Sequence, residues 1–194
     1  MGGTAMNNGK LNLRENVWNV PNVLTMVRMA LIPVYWALML KGFKMYALIV
    51  YITASLTDLA DGYIARKYNL ITDFGKLMDP TADKLMVVSV MLSHVLTGVI
   101  PVLPFAILFA KEFLMMLGAG YMLKKGVVVY AKWSGKLAQT VVVASLVLCF
   151  FSEYFSHPVH LYLIWAGVAL AVHAFVYYVR MSMKMLREQE PEAA

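Results

Sequence analysis

Charge is what this chain has least of. Lys, Arg, Asp and Glu make up 14% of its 194 residues, while 61% are hydrophobic. A soluble domain carries about 25% charged residues, so this composition excludes a water-solvated globule and calls for a bilayer. A spanning helix needs roughly 20 apolar residues. Cysteine is nearly absent too. Cys149 stands alone in the apolar run "VASLVLCFF", which excludes a disulfide framework and leaves it a small packing residue. The first twenty residues lack the apolar core of a signal peptide and are expected to stay on the mature chain. Met6 stands where a myristoylation signal requires Ser or Thr, so no lipid anchor is expected. Repeats and low-complexity tracts are missing. The net charge of +6 implies no nucleic-acid partner, because in a membrane chain it reports orientation and attraction to anionic lipid.

What is present is a series of six apolar segments, at about 22–41, 45–67, 81–99, 102–123, 135–152 and 159–183. The predicted fold is all-α: a polytopic integral membrane protein of six transmembrane helices with a short N-terminal juxtamembrane segment. Residues 1–20 form that cytoplasmic or interfacial segment, 21–184 the six-helix domain and 185–194 a polar, frayed tail. "KLNLRENVWNVPN" mixes Leu11, Leu13, Val17 and Trp18 with charges, as a helix lying at the headgroups would; a mobile arm is the alternative. The breaks between segments carry turn or charge signals: "KGFK", Gly98 with Pro101, "KKG" and "SHP".

The 17 Lys and Arg are distributed unevenly. Lys10 and Arg14 precede the first helix; Arg66, Lys67, Lys76 and Lys84 lie at the 2–3 connection. Lys124, Lys125, Lys132 and Lys136 lie at the 4–5 connection, and Arg180, Lys184 and Arg187 end the sixth helix. The other side holds only Lys41 and Lys44. The positive-inside rule puts both termini on the cytoplasmic face.

Aspartate is the other scarce residue, and its placement is selective. All five aspartates, Asp58, Asp61, Asp73, Asp79 and Asp83, fall within "LTDLADGYIARKYNLITDFGKLMDPTADKL". Asp58 and Asp61 are three apart near the end of helix 2 and share a face. Counted from Tyr46, Asp58 is about 18 Å deep at ~1.5 Å per residue, in the cytoplasmic half of the bilayer. Asp79 and Asp83 are four apart, with Gly75 four before. If helix 3 begins at or before Gly75 the three line one face; a helix starting at Pro80 with Asp79 as its N-cap is the other reading. Asp73 lies off the pattern and is expected in the loop.

Four carboxylates in one pocket repel by roughly 4 kcal/mol per pair at ~4 Å and an effective dielectric of ~20. Lys67, Lys76 and Lys84 are single flexible charges at the rim. Two divalent cations would cancel four negative charges and prefer oxygen ligands, and paired ions clamp the attacking and leaving oxygens in phosphoryl displacement. Asp58, Asp61, Asp79 and Asp83 are therefore the candidate ligands of two Mg²⁺ or Mn²⁺ ions. Isolated acids at a membrane edge are often caps or ion-pair partners; four at this spacing are less simply explained that way. His94, His157, His160 and His173 share no metal spacing with them.

The pattern Asp58, Asp61, Gly62, Ala65, Arg66, then Gly75, Asp79 and Asp83 resembles the signature of the CDP-alcohol phosphatidyltransferases, D-x-x-D-G-x-x-A-R-x(8)-G-x-x-x-D-x-x-x-D, at every fixed position. The resemblance implies a six-helix core over roughly residues 20–184 and transfer of a phosphatidyl group from CDP-diacylglycerol to a polar alcohol, releasing CMP. It implies metal ligation by Asp58, Asp61 and Asp79, with Asp83 contributing and acting as general base. Asp58, Asp61, Gly62, Ala65, Arg66 and Gly75 would accommodate the cytidine diphosphate group. A homodimer in a bacterial cytoplasmic membrane, with its active site on the cytoplasmic side, is implied as well.

"VPNVLTMVRMALIP" and "MDPTADKL" look most like the branch whose acceptor is glycerol 3-phosphate, the bacterial phosphatidylglycerolphosphate synthases. Arg28, Lys111, Lys136 and Arg180 are the candidate cations for the acceptor phosphate; an intramembrane lysine such as Lys111 is a functional candidate by default, although pairing with Glu112 for structure alone is the simpler role. Those synthases usually carry arginine where this chain has Lys111, and Gly-Lys-x-Lys-Thr where it has "GKLAQT". Transfer to phosphatidylglycerol, as in a cardiolipin synthase of the same family, is the alternative. From other classes, a membrane prenyltransferase would place an acid where Ala65 stands. An ion-coupled transporter would place its acids near the midplane of two related halves.

Overall fold

The computed structural model describes residues 18–68, 72–125, 133–155 and 157–189. Six helices account for nearly all of them: α1 (Val20–Leu40), α2 (Lys44–Lys67), α3 (Asp73–Leu96), α4 (Val102–Lys124), α5 (Trp133–Cys149) and α6 (Val159–Gln189). A 3-10 turn at Ser152–Tyr154 stands between α5 and α6, and no strand occurs among the described residues. The chain divides into two compact units, residues 1–89 and 90–194.

Local chemistry explains the helix ends. The side chain of Asn19 accepts from the Asn22 N–H at 2.9 Å, and Pro21 sits in the first turn, where its missing N–H loses nothing. At the other end Gly42 takes φ +79°. The Phe43 N–H reaches the Leu38 carbonyl at 2.9 Å and the Gly42 N–H reaches Met39 at 3.0 Å. Gly98 ends α3 in the same way, at φ +75°, with Val99 N–H on His94 O at 2.9 Å and Gly98 N–H on Val95 O at 3.0 Å. Both are left-handed glycine stops that satisfy the last carbonyls of a helix.

Among the described residues, four helices are long and apolar enough to cross a membrane: Val20–Leu40, Lys44–Ala65, Val102–Met122 and Val159–Leu186. The molecule is thus an all-helical membrane protein. Of the six expected spans, α3 and α5 fall outside this group. The first half of α3 carries Asp73, Lys76, Asp79, Asp83 and Lys84, and α5 has only 17 residues. Tyr63 and Tyr68 flank the Lys67 ammonium at 5.5 and 5.6 Å, as befits an amphipathic anchor closing α2 at a headgroup layer.

Of the two starts read for helix 3, the one at or before Gly75 is observed: α3 begins at Asp73, because the Thr72 hydroxyl accepts from the Gly75 N–H at 3.0 Å and so caps the first turn. Three local expectations are corrected. Asp73 is therefore the first residue of a helix rather than part of a loop. Asp79 is not an N-cap, and Pro80 is accommodated inside α3. Finally, α6 continues to Gln189, so residues 185–189 are helical. Residues 1–17, most of the N-terminal interfacial segment, lie outside the described residues, as do Lys132 and 190–194.

In the first unit α1 packs on α2, and in the second α4 and α5 pack on α6. Ala47, Tyr51 and Ala54 are buried on α2 at spacings of four and three, and Asp58 and Asp61 continue that stripe. On α1 the buried positions are Pro21, Asn22, Thr25, Arg28 and Tyr35. Spacings of three and four keep residues on one helical face, so the seam that is apolar at Tyr35 and Tyr51 turns polar exactly where the aspartates begin.

A candidate metal and diphosphate site on the first unit

Arg28 is the hub. Its side chain is 1% exposed and lies about 12 Å into α1 at ~1.5 Å per residue. Asp58 and Asp61 stand about 14 and 9 Å from the end of α2 on the same measure, so antiparallel helices bring the three to one level. Nη1 of Arg28 approaches Asp58 Oδ1 at 2.9 Å, Nη2 donates to Asp61 Oδ2, and Nε donates to the Ala54 carbonyl at 3.3 Å. The Nη1 contact is an ion pair without the angle of a hydrogen bond. Asp61 is 2% exposed and Asp58 37%. A charge at this depth of a bilayer costs on the order of 2.5–3.5 kcal/mol unless it is paired, and each of these groups is paired.

The second half of the motif reaches the same strip of α1. The Thr25 hydroxyl donates to Asp79 Oδ1; it also lies 3.1 Å from the Pro21 carbonyl, but its single proton favours the anion. Asn22 Oδ1 accepts from the Thr72 hydroxyl at 3.1 Å. Gly75 is buried against this pair: a Cβ there would stand 2.8 Å from Asn22 Oδ1, 3.2 Å from Thr72 Oγ1 and 3.5 Å from Asp79 Oδ2. The structure thus joins Asp58, Asp61 and Asp79 through Arg28 and Thr25. Asp83 stands one turn beyond Asp79 on α3 and is half-buried.

The donor set fits a divalent cation by its chemistry. Asp61 feels the charges of both Asp58 and Asp79, and one guanidinium offsets only one of the three. Two negative charges remain on hard oxygen atoms, the ligands Mg²⁺ and Mn²⁺ select. Among the described residues no three His, Cys, Asp or Glu side chains close into a coordinating group; Arg28 and Thr25 each engage one oxygen of the carboxylates they meet.

The other predicted residues are distributed as follows. Gly62 and Ala65 are half-buried on α2; the side chain of Arg66 lies outside the described residues. Arg28, a sequence candidate for the acceptor phosphate, pairs with the motif carboxylates Asp58 and Asp61. Lys111 is on α4, 18% exposed and paired with Glu112, while Lys136 on α5 and Arg180 on α6 are exposed. All three belong to the second unit. Sequence reasoning did not assign Asn22, Thr25 and Thr72 to the motif. The available signal was a polar residue at every third position of an otherwise apolar helix.

Comparison with known proteins agrees with this geometry. Residues 18–173 match the model of the CDP-alcohol phosphatidyltransferase family. A Bacillus subtilis protein named CDP-diacylglycerol–glycerol-3-phosphate 3-phosphatidyltransferase is 36% identical over 68% of this chain and 78% of its own length. A Rickettsia bellii protein of the same name is 42% identical over 50% of this chain, an alignment that spans 55% of that relative. A CMP-forming cardiolipin synthase of Streptomyces coelicolor is 29% identical over 58% of this chain and 55% of its own length. The motif, the membrane helices and these matches bear out the resemblance read from the sequence: the chain belongs to the CDP-alcohol phosphatidyltransferase family.

Proposed function

We propose that this protein transfers the phosphatidyl group of CDP-diacylglycerol to glycerol 3-phosphate, giving phosphatidylglycerol phosphate and CMP. The observation that carries the reading is the junction of Asp58, Asp61 and Asp79 on a single buried strip of α1, within a chain of this family whose relatives include proteins named for that reaction.

Asp58, Asp61 and Asp79, with Asp83, would hold two Mg²⁺ or Mn²⁺ ions, which when bound supply electrostatic stabilisation to a diphosphate and its leaving phosphate. The chain's own residues do the rest. Half-buried Gly62 and Ala65, one and four residues after Asp61, keep bulk away from the cytidine diphosphate, and Arg66 follows directly in sequence. Asp83 accepts the proton of the acceptor hydroxyl. The acceptor oxygen forms its bond to the phosphatidyl phosphorus as the bond to the bridging oxygen breaks, and CMP leaves with that oxygen. Lys111, Lys136 and Arg180 supply cations for the phosphate of the acceptor.

The same reading includes six spans, with α3 and α5 completing the four apolar helices, and a homodimer, which rests on family resemblance. The distribution of Lys and Arg supports a bacterial cytoplasmic membrane location with both termini and the site facing the cytoplasm.

An acceptor panel with labelled CDP-diacylglycerol tests the assignment. Glycerol 3-phosphate is expected to support CMP release, and phosphatidylglycerol, inositol, inositol phosphate and serine are not. Release with phosphatidylglycerol alone would transfer the assignment to the cardiolipin synthase reaction. Release with none would remove the transferase reading.

A further inference from the structure

Three side chains of α1, Asn22, Thr25 and Arg28, follow one another at intervals of three and are each 1% exposed. None has an apolar packing role. Each meets a different piece of the motif: Arg28 meets Asp58 and Asp61, Thr25 meets Asp79, and Asn22 meets Thr72 beside Gly75. The two halves of the motif sit on separate helices, so their register needs a third element that touches both.

Gly75 is where that element comes closest. The 2.8 Å approach of a would-be Cβ to Asn22 Oδ1 is shorter than any ordinary contact, and Asn22 sits in a helix whose backbone also carries Thr25. A side chain at 75 would displace the Asn22 amide oxygen from Thr72 and crowd Asp79 Oδ2, 3.5 Å from the added carbon. A nucleotide need not be invoked to explain the glycine.

We propose that the Asn22–Thr25–Arg28 face of α1 is the positioning template of the aspartate motif, and that residue 75 is glycine because Asn22 of α1 occupies the space its side chain would need. The inference deepens the reading of the same site and rests on it for the role of the carboxylates. Asn22, Thr25 and Arg28 are positioning residues that act through the aspartates.

The test is a pair of substitutions and their combination, read by thermal unfolding in EDTA and by Mn²⁺ titration of the purified, substrate-free protein. Gly75→Ala is expected to lower the melting temperature and to weaken Mn²⁺ binding by about tenfold, the lower end of what losing a partner of a metal ligand does. Adding Asn22→Ala removes the clashing oxygen and is expected to return both values to those of Asn22→Ala alone. In parallel, Thr25→Val is expected to weaken Mn²⁺ binding by a similar factor and Thr25→Ser to recover it. The proposal is overturned if Gly75→Ala leaves melting and Mn²⁺ binding unchanged while raising the KM for CDP-diacylglycerol, or if Asn22→Ala gives no relief. If neither Gly75 variant folds, the Thr25 pair decides, and equal Mn²⁺ binding by Val and Ser overturns it. Failure of the transferase reading would appear instead as absent CMP release with intact coupling between positions 22 and 75.

Discussion

The α1–α2 seam of the first unit and the α5–α6 seam of the second use the same three-and-four spacing and fill it with opposite chemistry. Along α5 the buried residues are Ala138, Val142, Ser145, Leu146 and Cys149; along α6 they include His160, Ile164, Gly167, Val168 and Ala171. A Cβ on Gly167 would approach Val142 Cγ2 at 2.8 Å, and Ser145 returns its hydroxyl to the Val142 carbonyl of its own helix at 2.7 Å. This seam is held by close packing of small and branched residues, the usual device where lipid supplies no hydrophobic drive between helices. The α1–α2 seam packs in that way only at its Tyr35, Ala47, Tyr51 and Ala54 end. At the other end it holds an arginine and two aspartates, which packing for stability alone would not select. The difference teaches where charge is buried: the α5–α6 seam buries the neutral-type polar side chains of Ser145 and His160, whereas the α1–α2 seam buries a guanidinium against carboxylates.

The comparison can be broken in graded steps. The largest effect belongs to the carboxylates. Asp79→Asn or Asp58→Asn is expected to reduce CMP release by on the order of 10³-fold or more, with the protein still monodisperse in detergent. EDTA should stop turnover in the native protein, with recovery on adding Mg²⁺ or Mn²⁺; full activity in either variant, or in EDTA, would remove the metal reading. Next is Arg28→Met, which strands the charge of Asp61 in a buried site. A loss of about 3–5 kcal/mol of stability is expected in EDTA, part of it regained with Mn²⁺, because a cation then replaces the guanidinium. Indifference to Mn²⁺ would separate Arg28 from the cation site.

Leu146→Ala sharpens the contrast from the other seam. A cavity at this fully buried leucine should cost about 2–5 kcal/mol, unaffected by Mn²⁺ and with unchanged turnover per folded molecule. The smallest effect is assigned to Lys111→Ala: the KM for glycerol 3-phosphate should rise about tenfold, the equivalent of one charge-assisted hydrogen bond of ~1.5 kcal/mol, with little change for CDP-diacylglycerol. The reverse pattern would move Lys111 out of the acceptor pocket.

Much of this was legible before any coordinates. Apolar runs located α1, α2, α4 and α5 to within about three residues, along with the start of α6, and Gly42 and Gly98 marked two helix ends because a left-handed stop needs glycine. The sequence left two starts for α3 open for a specific reason. Hydropathy sees Asp73, Lys76 and Asp79 as a break in a span, whereas a Thr72 cap lets the helix begin among them. The pairing of Arg28 with Asp58 and Asp61 was hidden for a similar reason: spacing shows that it shares a face with Asn22 and Thr25, and says nothing of which helix covers that face.

The sequence by itself determined that this is a helical membrane protein and that its aspartates form the motif of one family, since both follow from composition and fixed local spacing. Only the tertiary structure decided what stands opposite those aspartates. Residues 22, 25 and 28 are separated from 58, 61 and 79 by some thirty to fifty positions, and no local period links them. That pairing is set when α1 docks on α2 and reaches α3, and it also brings the Asn22 side chain against Gly75.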